Sequence, residues 1–412
     1  MSPLPVSRRR FLQGLGILAA SGVAGWSLAR PRLVNPCRAA LPLGLSESPW
    51  LTGVWRDLNP ADVWDCHAHL AGTGDGGSGI LVGPQLSTPL RPLQYAQRLF
   101  YMNAGCAHDA PGRVDASYVD RMLNLVEAMP AGVKLMLFAF DHFHDAEGQP
   151  LPEMSAFYVP DDYARQLAAA HPQAFEWVAS IHPYRADAVD RLDAAVAQGA
   201  KAIKWLPAAQ NMDPASPRCD AFYAALARHR LPLITHCGEE KAVQGADTQH
   251  YGNPLRLRRA LEAGVRVVVA HCASMGQDED LDRGGRVESF QLFARLMDEP
   301  AWQELLAGDI SAITLRNRDL EVIKTLLQRQ DWHGRLLNGS DYPLPGILPL
   351  ISPSALASGG LLPPEAVADL ELLREHNPLY FDLALKRALS WQGQAFPARV
   401  FATRPYFEAH RS

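Results

Sequence analysis

The sequence predicts an α/β protein, a single (β/α)₈ TIM barrel with a metal site at the C-terminal ends of its strands. Short apolar, β-rich runs alternate with longer helical patterns from Trp55 onward, and such alternation is typical of repeated β-α units. The apolar runs number eight. Five of them carry metal-competent or ionisable residues at or near their C-terminal ends, namely His67 with His69, Lys204, His236, His271 and Asp341, where barrel enzymes carry their catalytic groups.

The eight apolar runs are the candidate strands. They cover residues 63–67, 133–140, 177–182, 202–206, 233–236, 265–271, 310–314 and 336–341. Strands of a parallel sheet are buried on both faces and are therefore nearly continuous in apolar residues, as the second and sixth runs are. The candidate helices cover residues 118–129, 186–198, 221–229, 255–263, 287–297, 320–328 and 379–389.

An open, doubly wound sheet is the main alternative fold. It would normally carry a glycine-rich phosphate-binding turn directly after its first strand, and the glycines at 72–79 lack that strand-turn-helix context. Residues 72–110 and 141–161 are long for connecting loops in a compact domain. We therefore expect both segments to be functional loops near a site.

The N-terminus has the pattern of a twin-arginine export signal. Ser7-Arg8-Arg9-Arg10-Phe11-Leu12 precedes an apolar, glycine-rich run at 14–29. An ordinary first helix is the alternative, but no acidic residue occurs before Glu47. We predict a signal and linker at 1–40, the barrel at 50–412, and a periplasmic or otherwise exported protein that engages the twin-arginine machinery. The apolar run is short for a span, which needs about 20 residues, although an N-terminal anchor stays open.

Composition favours a small-molecule partner. Charged residues make up 20% of the 412 residues and the net charge is −5, with both signs interspersed. No basic stretch indicates nucleic-acid binding. The sequence leaves a homo-oligomer open.

The six cysteines are widely separated and form no C-x-x-C pair, so they predict neither a zinc ribbon nor a disulfide-dense scaffold. Cys66, Cys237 and Cys272 each adjoin a histidine of the predicted site. Because successive strand residues point to opposite faces, we expect these three cysteines to face the outer helices as buried, inert thiols. Cys37 follows a proline, which does not suit lipid attachment.

The strand-end residues point to metal chemistry. His67-x-His69 places two imidazoles on one face of an extended chain. His236, His271 and Asp341 end three other candidate strands. Such residues complete a shell that leaves one position for water, as a catalytic zinc site requires, and the same set also admits manganese, iron or nickel.

In this order, the motifs resemble those of the amidohydrolase superfamily, in particular its branch of metal-dependent hydrolases and decarboxylases. The motifs are Asp65-x-His67-x-His69, Ile203-Lys204, Thr235-His236, Ala270-His271 and Gly339-Ser340-Asp341-Tyr342-Pro343. The resemblance implies that His67, His69 and His236 are metal ligands and that Asp341 is a ligand or the proton shuttle. It implies that His271 is a further ligand-type group or an oxyanion stabiliser.

Lys204 has two interpretations. As a carboxylated, anionic lysine it could bridge two metals, as in some members of the superfamily, and as an ordinary lysine it would bind an acidic substrate or form a barrel ion pair. We expect one Zn²⁺, with Lys204 facing the substrate. Further candidates for substrate contact are His182, Arg316 and Glu239, and, more weakly, Asp141, His142, His144 and Glu240.

The predicted function is a metal-dependent hydrolase that uses a metal-activated water on an amide, lactone or ester bond of a small, acidic molecule. Asp341, His271 and Lys204 are its expected catalytic residues. A non-oxidative, metal-dependent decarboxylase is the nearest alternative, since the same shell could hold a carboxylated ring. A non-catalytic exported carrier of metal or ligand is the third.

Overall fold

Eight parallel strands follow one another around a ring in the computed structural model, which describes residues 33–107, 110–241 and 247–409. The strands are β1 Trp64–His69, β2 Lys134–Phe138, β3 Phe175–Val178, β4 Ile203–Trp205, β5 Leu233–His236, β6 Val267–Ala270, β7 Leu306–Asp309 and β8 Leu336–Leu337. Within the ring, β1, β2 and β3 pair in order, and so do β4 to β8.

Backbone hydrogen bonds join these two groups of strands at both of their edges. Beyond β3, Ala179 forms a parallel bridge with Ile203 of β4. On the other side, Cys66 N donates to Asn338 O at 3.1 Å, and Ala68 bridges to Tyr342. These contacts complete the ring, and the predicted TIM barrel is confirmed.

The longer helices are α1 Pro92–Ala104, α2 Val114–Glu127, α3 Asp161–Ala170, α4 Ala188–Ala197, α5 Asp220–His229, α6 Ser289–Asp298, α7 Leu320–Gln328, α8 Val367–His376 and α9 Pro378–Ala388. In its described part, the connection from β5 to β6 contains the short α-helix Arg258–Glu262, preceded by the 3₁₀ turns Gln249–Gly252 and Pro254–Leu257. α1 lies in the first of the two segments predicted to be functional loops. The last two long helices follow β8 and pack against each other.

Two apolar layers make up the core. The inner layer contains Trp64, Met136, Phe138, Val178, Ala202, Ile234, Val268, Ala307 and Leu337 from the strands, with Phe407 of the C-terminal helix Arg404–Glu408. Alternate residues of the same strands pack outward against the helices. This period of two is what a sheet buried on both faces requires.

The predicted position of the seventh strand was wrong. The run at 310–314 forms a turn, and the strand is Leu306–Asp309. Gly308 and Asp309 are poor strand formers, whereas the run after them contains two isoleucines. Gly308 is needed for packing, because a Cβ there would lie 2.7 Å from the Phe293 ring and 2.8 Å from Cys272 Sγ.

The cysteines differ from the prediction in two respects. Cys66 belongs to the inner layer, because the pairing of β1 with β2 shifts register between Asp65 and Ala68. Cys237 and Cys272 pack in the outer layer as expected. Burial raises the pKa of these three thiols and keeps them protonated. Cys37 and Cys106, in contrast, form a disulfide that the sequence analysis did not predict.

The predicted export signal falls on residues that lie almost entirely outside the described part of the chain. In the part that is described, no helix combines the length and the apolar character needed to cross a membrane.

Candidate metal centre

His67 and His69 bring two ring nitrogens together at the end of β1. Their Nε2 atoms are 3.2 Å apart. On the other edge of the His67 ring, Nδ1 lies 2.9 Å from Oδ2 of Asp309, the last residue of β7. Nδ1 therefore carries the proton and donates it to the carboxylate, which leaves the lone pair of Nε2 facing His69. The His67 side chain is buried, whereas that of His69 is 33% exposed.

Asp341 brings a carboxylate to the same two nitrogens. Its Oδ1 lies 3.1 Å from His69 Nε2 and 3.5 Å from His67 Nε2. Its backbone has a φ of +60°, and its N–H donates to His67 O at 2.8 Å. The preceding Gly339 permits this approach, since a Cβ there would lie 2.6 Å from His67 Cβ. Asp341 is thus fixed to β1 by main-chain contact.

The buried carboxylate of Asp65 holds together β1 and the segment just before Asp341. Its Oδ1 accepts hydrogen bonds from Ser340 N at 2.8 Å and from His67 N at 3.1 Å. Lys386 of α9 adds a further contact by donating to Gly339 O at 2.7 Å. These bonds fix the backbone on which His67 and Asp341 depend.

His271 lies against the opposite side of Asp341. Its Nε2 is 3.8 Å from Asp341 Oδ2, and its ring stacks on that of His67 with centroids 4.8 Å apart. The backbone N–H of His271 donates to Asp309 Oδ1 at 2.9 Å, and its ring Nδ1 lies 2.7 Å from Ser311 Oγ. Asp309 therefore holds both His67 and His271, although the sequence analysis did not identify it.

His236 reaches the cluster from β5. Its ring centroid is 5.4 Å from that of His271. Its buried Nε2 makes no hydrogen bond within the described residues and lies 3.4 Å from Oε2 of Glu240. His236 is thus adjacent to the cluster, but its nitrogens are not among the closest set of His67, His69 and Asp341. Its role as a ligand stays a prediction.

The donor set fits a divalent metal ion. Two imidazole nitrogens and one carboxylate oxygen, those of His67, His69 and Asp341, lie within 4.8 Å of one another, and nitrogen with oxygen ligands suits zinc, manganese or iron. Burial, with the charge of Lys204, lowers the pKa of His67 to about 4. That imidazole is neutral at pH 7, as a metal ligand must be. His236 offers a further buried nitrogen, one without a hydrogen-bond partner among the described residues.

The two carboxylates of the centre are ionised despite their burial. Burial by itself would raise the pKa of Asp341, but His271 and His67 outweigh it and hold the pKa well below its usual range. Burial opposes ionisation of Asp309 as well, and His67 lowers the pKa of Asp309, by its charge when the ring is protonated and by its hydrogen bond when the ring is neutral. Burial lowers the pKa of His271 to about 3. Neutral imidazoles and anionic carboxylates together favour a bound cation.

Lys204 is buried next to the cluster. Its Nζ lies 5.0 Å from the centroid of Phe138, the ring that also contacts His67 and His69. Burial lowers the pKa of Lys204, while the charges of Asp309, Asp341 and Glu240 raise it. No carboxylate of the described residues forms an ion pair with Nζ, although those of Asp309, Asp341 and Glu240 are near enough to raise its pKa.

Two of the predicted substrate residues, Arg316 and Glu239, lie at the surface, and their contact with substrate stays a prediction. Arg316 is exposed, whereas Arg318 carries a buried Nε that has no hydrogen-bond partner in the described chain. Burial lowers the pKa of Arg318 and the charges of Asp341 and Glu240 raise it, so its guanidinium is close to the cluster. Glu239 is 43% exposed and pairs with Lys241, while Glu240 is the one beside His236. In both loops the inward residue is one or two positions later than predicted.

His182 is engaged within the protein. Its Nδ1 accepts a hydrogen bond from Tyr184 N at 3.2 Å, and its Nε2 donates to Gln210 O at 3.1 Å. The ring is fully buried and stacks on His144 at 4.2 Å. Since both ring nitrogens have partners, this geometry favours a structural role over the predicted contact with substrate.

Helix α1 adds a residue that the sequence analysis did not consider. Burial raises the pKa of Tyr101, and the charges of Glu240 and Asp341 raise it further, so its phenol lies near both. Its hydroxyl accepts a hydrogen bond from Gln97 Nε2 at 2.7 Å. No strand-end pattern marks Tyr101, because it belongs to a helix inserted between β1 and α2.

Solved structures with a similar fold include hydrolases and decarboxylases at low sequence identity. An uncharacterised TIM-barrel protein from Bordetella bronchiseptica is 17% identical over 68% of this chain and 86% of its own, with a TM-score of 0.44. A proposed 2-pyrone-4,6-dicarboxylic acid hydrolase from Pseudomonas putida is 15% identical over 76% and 93%, with a TM-score of 0.42. A 5-carboxyvanillate decarboxylase from Sphingomonas paucimobilis is 11% identical over 85% and 98%, with a TM-score of 0.47.

No curated protein shows significant sequence similarity to the chain. Residues 64–347, which run from β1 to just beyond Asp341, match the Amidohydro_2 family, whose description is "Amidohydrolase". The match covers more than half of the 412 residues and includes each residue of the cluster described above. The resemblance drawn from the strand-end motifs is therefore confirmed, and this chain is a member of the Amidohydro_2 amidohydrolase family.

Proposed function

We propose that the protein is a metal-dependent hydrolase that cleaves an amide, lactone or ester bond in a small anionic molecule. The observation that carries the proposal is the position of Asp341, whose carboxylate lies 3.1 Å from His69 on one side and 3.8 Å from His271 on the other. An ionised carboxylate thus lies between two imidazoles of the cluster. A divalent metal bound by His67, His69 and Asp341 would supply an activated water and polarise the bond under attack.

Asp341 is the proposed proton carrier. As an ionised carboxylate it can accept a proton at Oδ2, the oxygen on the His271 side, and deliver it to a leaving nitrogen or oxygen. Its backbone bonds to β1 hold that oxygen in place. The exposed edge of His69 marks the side from which a substrate can approach.

His271 is proposed as a second lone-pair donor next to Asp341. Ser311 Oγ donates its proton to Asp309 Oδ1, so the oxygen lone pairs of Ser311 are left to accept from His271 Nδ1. With Nδ1 protonated and the ring neutral, Nε2 carries a lone pair towards Asp341. This tautomer supports the ligand-type role predicted for His271 rather than that of an oxyanion donor.

Lys204 and Arg318 support an anionic substrate. Both lie close enough to the cluster to lower the pKa of His236, and neither has an ion-pair partner in the described chain. Buried cations without partners are costly. A carboxylate or other anion on the substrate would compensate them, and we propose that Lys204 is not carboxylated but faces that group.

A metal-dependent decarboxylase is the second candidate, and the same two cations favour it. A carboxylate held beside Lys204 and Arg318 would lie next to Asp341, which could exchange a proton with the carbon that loses CO₂. The two reactions consume different atoms from solvent, since hydrolysis takes up an oxygen from water and decarboxylation takes up a proton at carbon.

The deciding experiment uses the metal-loaded enzyme on a panel of lactones, esters, amides and aromatic carboxylic acids, run in H₂¹⁸O and in D₂O. A hydrolase incorporates ¹⁸O into the product acid and releases no CO₂. A decarboxylase releases CO₂ and places deuterium on carbon without ¹⁸O. The second result would replace hydrolysis by decarboxylation, and Asp341→Asn is the control that separates catalysis from background reaction.

We also propose that the protein works in an exported, oxidising compartment. The Cys37–Cys106 disulfide supports this, because disulfides persist outside the reducing cytosol. Cell fractionation of the native chain and of the variant Arg8→Lys/Arg9→Lys tests it. Retention of the variant inside the cell is expected, and equal distribution of both proteins would contradict export by this route.

A further inference from the structure

Residues 33–40, which we call the strap, are attached to the C-terminal end of α1. Asn35 N donates to Asn103 Oδ1 at 2.8 Å, and Asn103 Nδ2 donates back to Asn35 O at 3.4 Å. The Cys37–Cys106 disulfide adds a covalent link between segments 69 residues apart in sequence. The strap also reaches the loop after Asp341, because Asn35 Nδ2 donates to Gly346 O at 3.0 Å.

Helix α1 spans the mouth of the barrel between two loops that carry site residues. Gln97 Nε2 donates to Lys241 O at 3.2 Å, in the loop that follows His236 and Glu240. At its C-terminal end, α1 contacts the turn Leu344–Gly346, where a Cβ on Gly346 would lie 2.8 Å from Ala104 O. Tyr101, between these two contacts, is near enough to Glu240 and Asp341 for their charges to raise its pKa. These contacts place α1 beside the cluster, between the loop that follows His236 and the turn that follows Asp341.

α1 has little apolar anchorage of its own. Of its 13 residues, all within the described chain, Ala104 alone is fully buried, and Tyr101 is half-buried, whereas α2 buries eight of its 14. Leu93 and Leu99 are 80% and 49% exposed. A helix of this length is marginal without packing, and segments with few buried contacts open locally at low cost. The position of α1 thus depends on its end attachments.

We propose that the Cys37–Cys106 disulfide is a redox-dependent lock that holds α1 beside the metal cluster. With the disulfide formed, the strap and α1 are joined to each other and to Gly346. With both thiols reduced, the covalent link is lost, the hydrogen bonds between Asn35 and Asn103 and the packing of Ala104 against Gly346 remain, and α1 opens more often. Exchange of the metal ion and of ligands is then faster, because α1 joins the two loops that border His236 and Asp341.

Locking requires thiol–disulfide exchange with a disulfide donor, either another protein's disulfide or oxidised glutathione. One thiolate of the pair attacks the donor and displaces its first thiol, and the second thiolate then displaces the donor's second thiol. The two cysteines lose two electrons and two protons, and the donor gains them. In an exported protein this step would follow arrival in the oxidising compartment, so the lock would form there.

The test measures amide hydrogen exchange in the full-length, metal-loaded protein, comparing the oxidised form with the form reduced by a phosphine. Exchange across residues 92–104 is expected to quicken by about tenfold or more on reduction, while exchange in 233–236 and 267–270 stays unchanged. Transfer of the metal to an excess of chelator is expected to accelerate in parallel. Cys37→Ser/Cys106→Ser should behave like the reduced protein, and Cys219→Ser, which removes a buried free thiol, like the oxidised one.

Two outcomes would overturn the lock. Unchanged exchange across 92–104 after reduction would show that α1 does not need the disulfide. Faster exchange in the barrel strands to the same extent would show a general stabiliser instead of a lock. If the double variant does not fold, reduction of the folded wild type decides alone. The metal-transfer arm rests on the proposed metal centre, but the exchange arm does not, and neither measurement needs a substrate, so the lock and the proposed hydrolysis can fail separately.

Discussion

Nδ1 of His67 and Oδ2 of Asp309 form a 2.9 Å hydrogen bond between β1 and β7, with both side chains buried. A carboxylate in this position orients the imidazole and increases the basicity of its other nitrogen, the one that faces the cluster. Because Asp309 also accepts hydrogen bonds from His271 N and Ser311, a single carboxylate orders two sides of the centre.

Replacing Asp309 by Asn tests this relationship. The amide oxygen can still accept from His67 Nδ1, but the negative charge is lost, so metal affinity is expected to fall by about 10- to 100-fold. Competition with a chelator of known affinity measures the change. Asp298→Asn is the matched control, because Asp298 is half-exposed and pairs with Arg329 far from the cluster. Equal affinity in both variants would contradict an orienting role for Asp309.

Asp341→Asn separates catalysis from metal binding. The substitution keeps an oxygen near His67 and His69 but removes the proton acceptor, so turnover is expected to fall by at least about 100-fold with metal content largely retained. Metal analysis and kinetics on the same preparation check both parts. A protein that only carries a metal or a ligand would keep its full function in this variant.

The sequence was sufficient for the fold and for the residues that end a strand. His67, His69, His236, His271 and Asp341 each close or follow an apolar run, and the barrel geometry then brings them to one end. Asp309 was not predicted as a strand-end residue, because Gly308-Asp309 is typical of a turn and the adjacent run at 310–314 has the stronger β character. The physical demand there was close packing against Phe293, which a sequence does not display.

The inward-facing residues of the loops could not be predicted for another reason. Strand parity ends where the backbone turns, so it could not distinguish Glu239 from Glu240 or Arg316 from Arg318. The backbone after β6 is left-handed at three successive residues, His271, Cys272 and Ala273, and no alternation rule survives such a bend. The pairing of Cys37 with Cys106 likewise depends on where the strap crosses α1, which only the folded chain defines.

Arg318 and Arg316 form a natural pair of variants. Arg318→Gln removes the half-buried guanidinium near Asp341 and Glu240, whereas Arg316→Gln changes an exposed side chain two residues earlier. We expect the first to weaken binding of an anionic substrate or inhibitor by about tenfold or more, on the scale of a lost charge-assisted hydrogen bond, and the second to have little effect. The dissociation constant of the metal-loaded enzyme for a small carboxylate measures both. Equal effects would remove Arg318 from the substrate site.

His182 provides a test of pH dependence away from the proposed ligands. Burial lowers its pKa well below the ordinary 6.5, so the unfolded chain takes up a proton below pH 6.5 that the folded chain refuses. The free energy of unfolding therefore gains nothing above pH 6.5 and falls by up to about 1.4 kcal/mol for each pH unit below it. His182→Gln cannot titrate, and its amide can still accept from Tyr184 N and donate to Gln210 O. Denaturant unfolding of both metal-free proteins at pH 7 and pH 5 should show a smaller acid loss in the variant. An identical loss of unfolding free energy in both proteins would mean that His182 is protonated in the folded state. If the variant instead kept its stability but bound substrate much more weakly, His182 would belong to the substrate site.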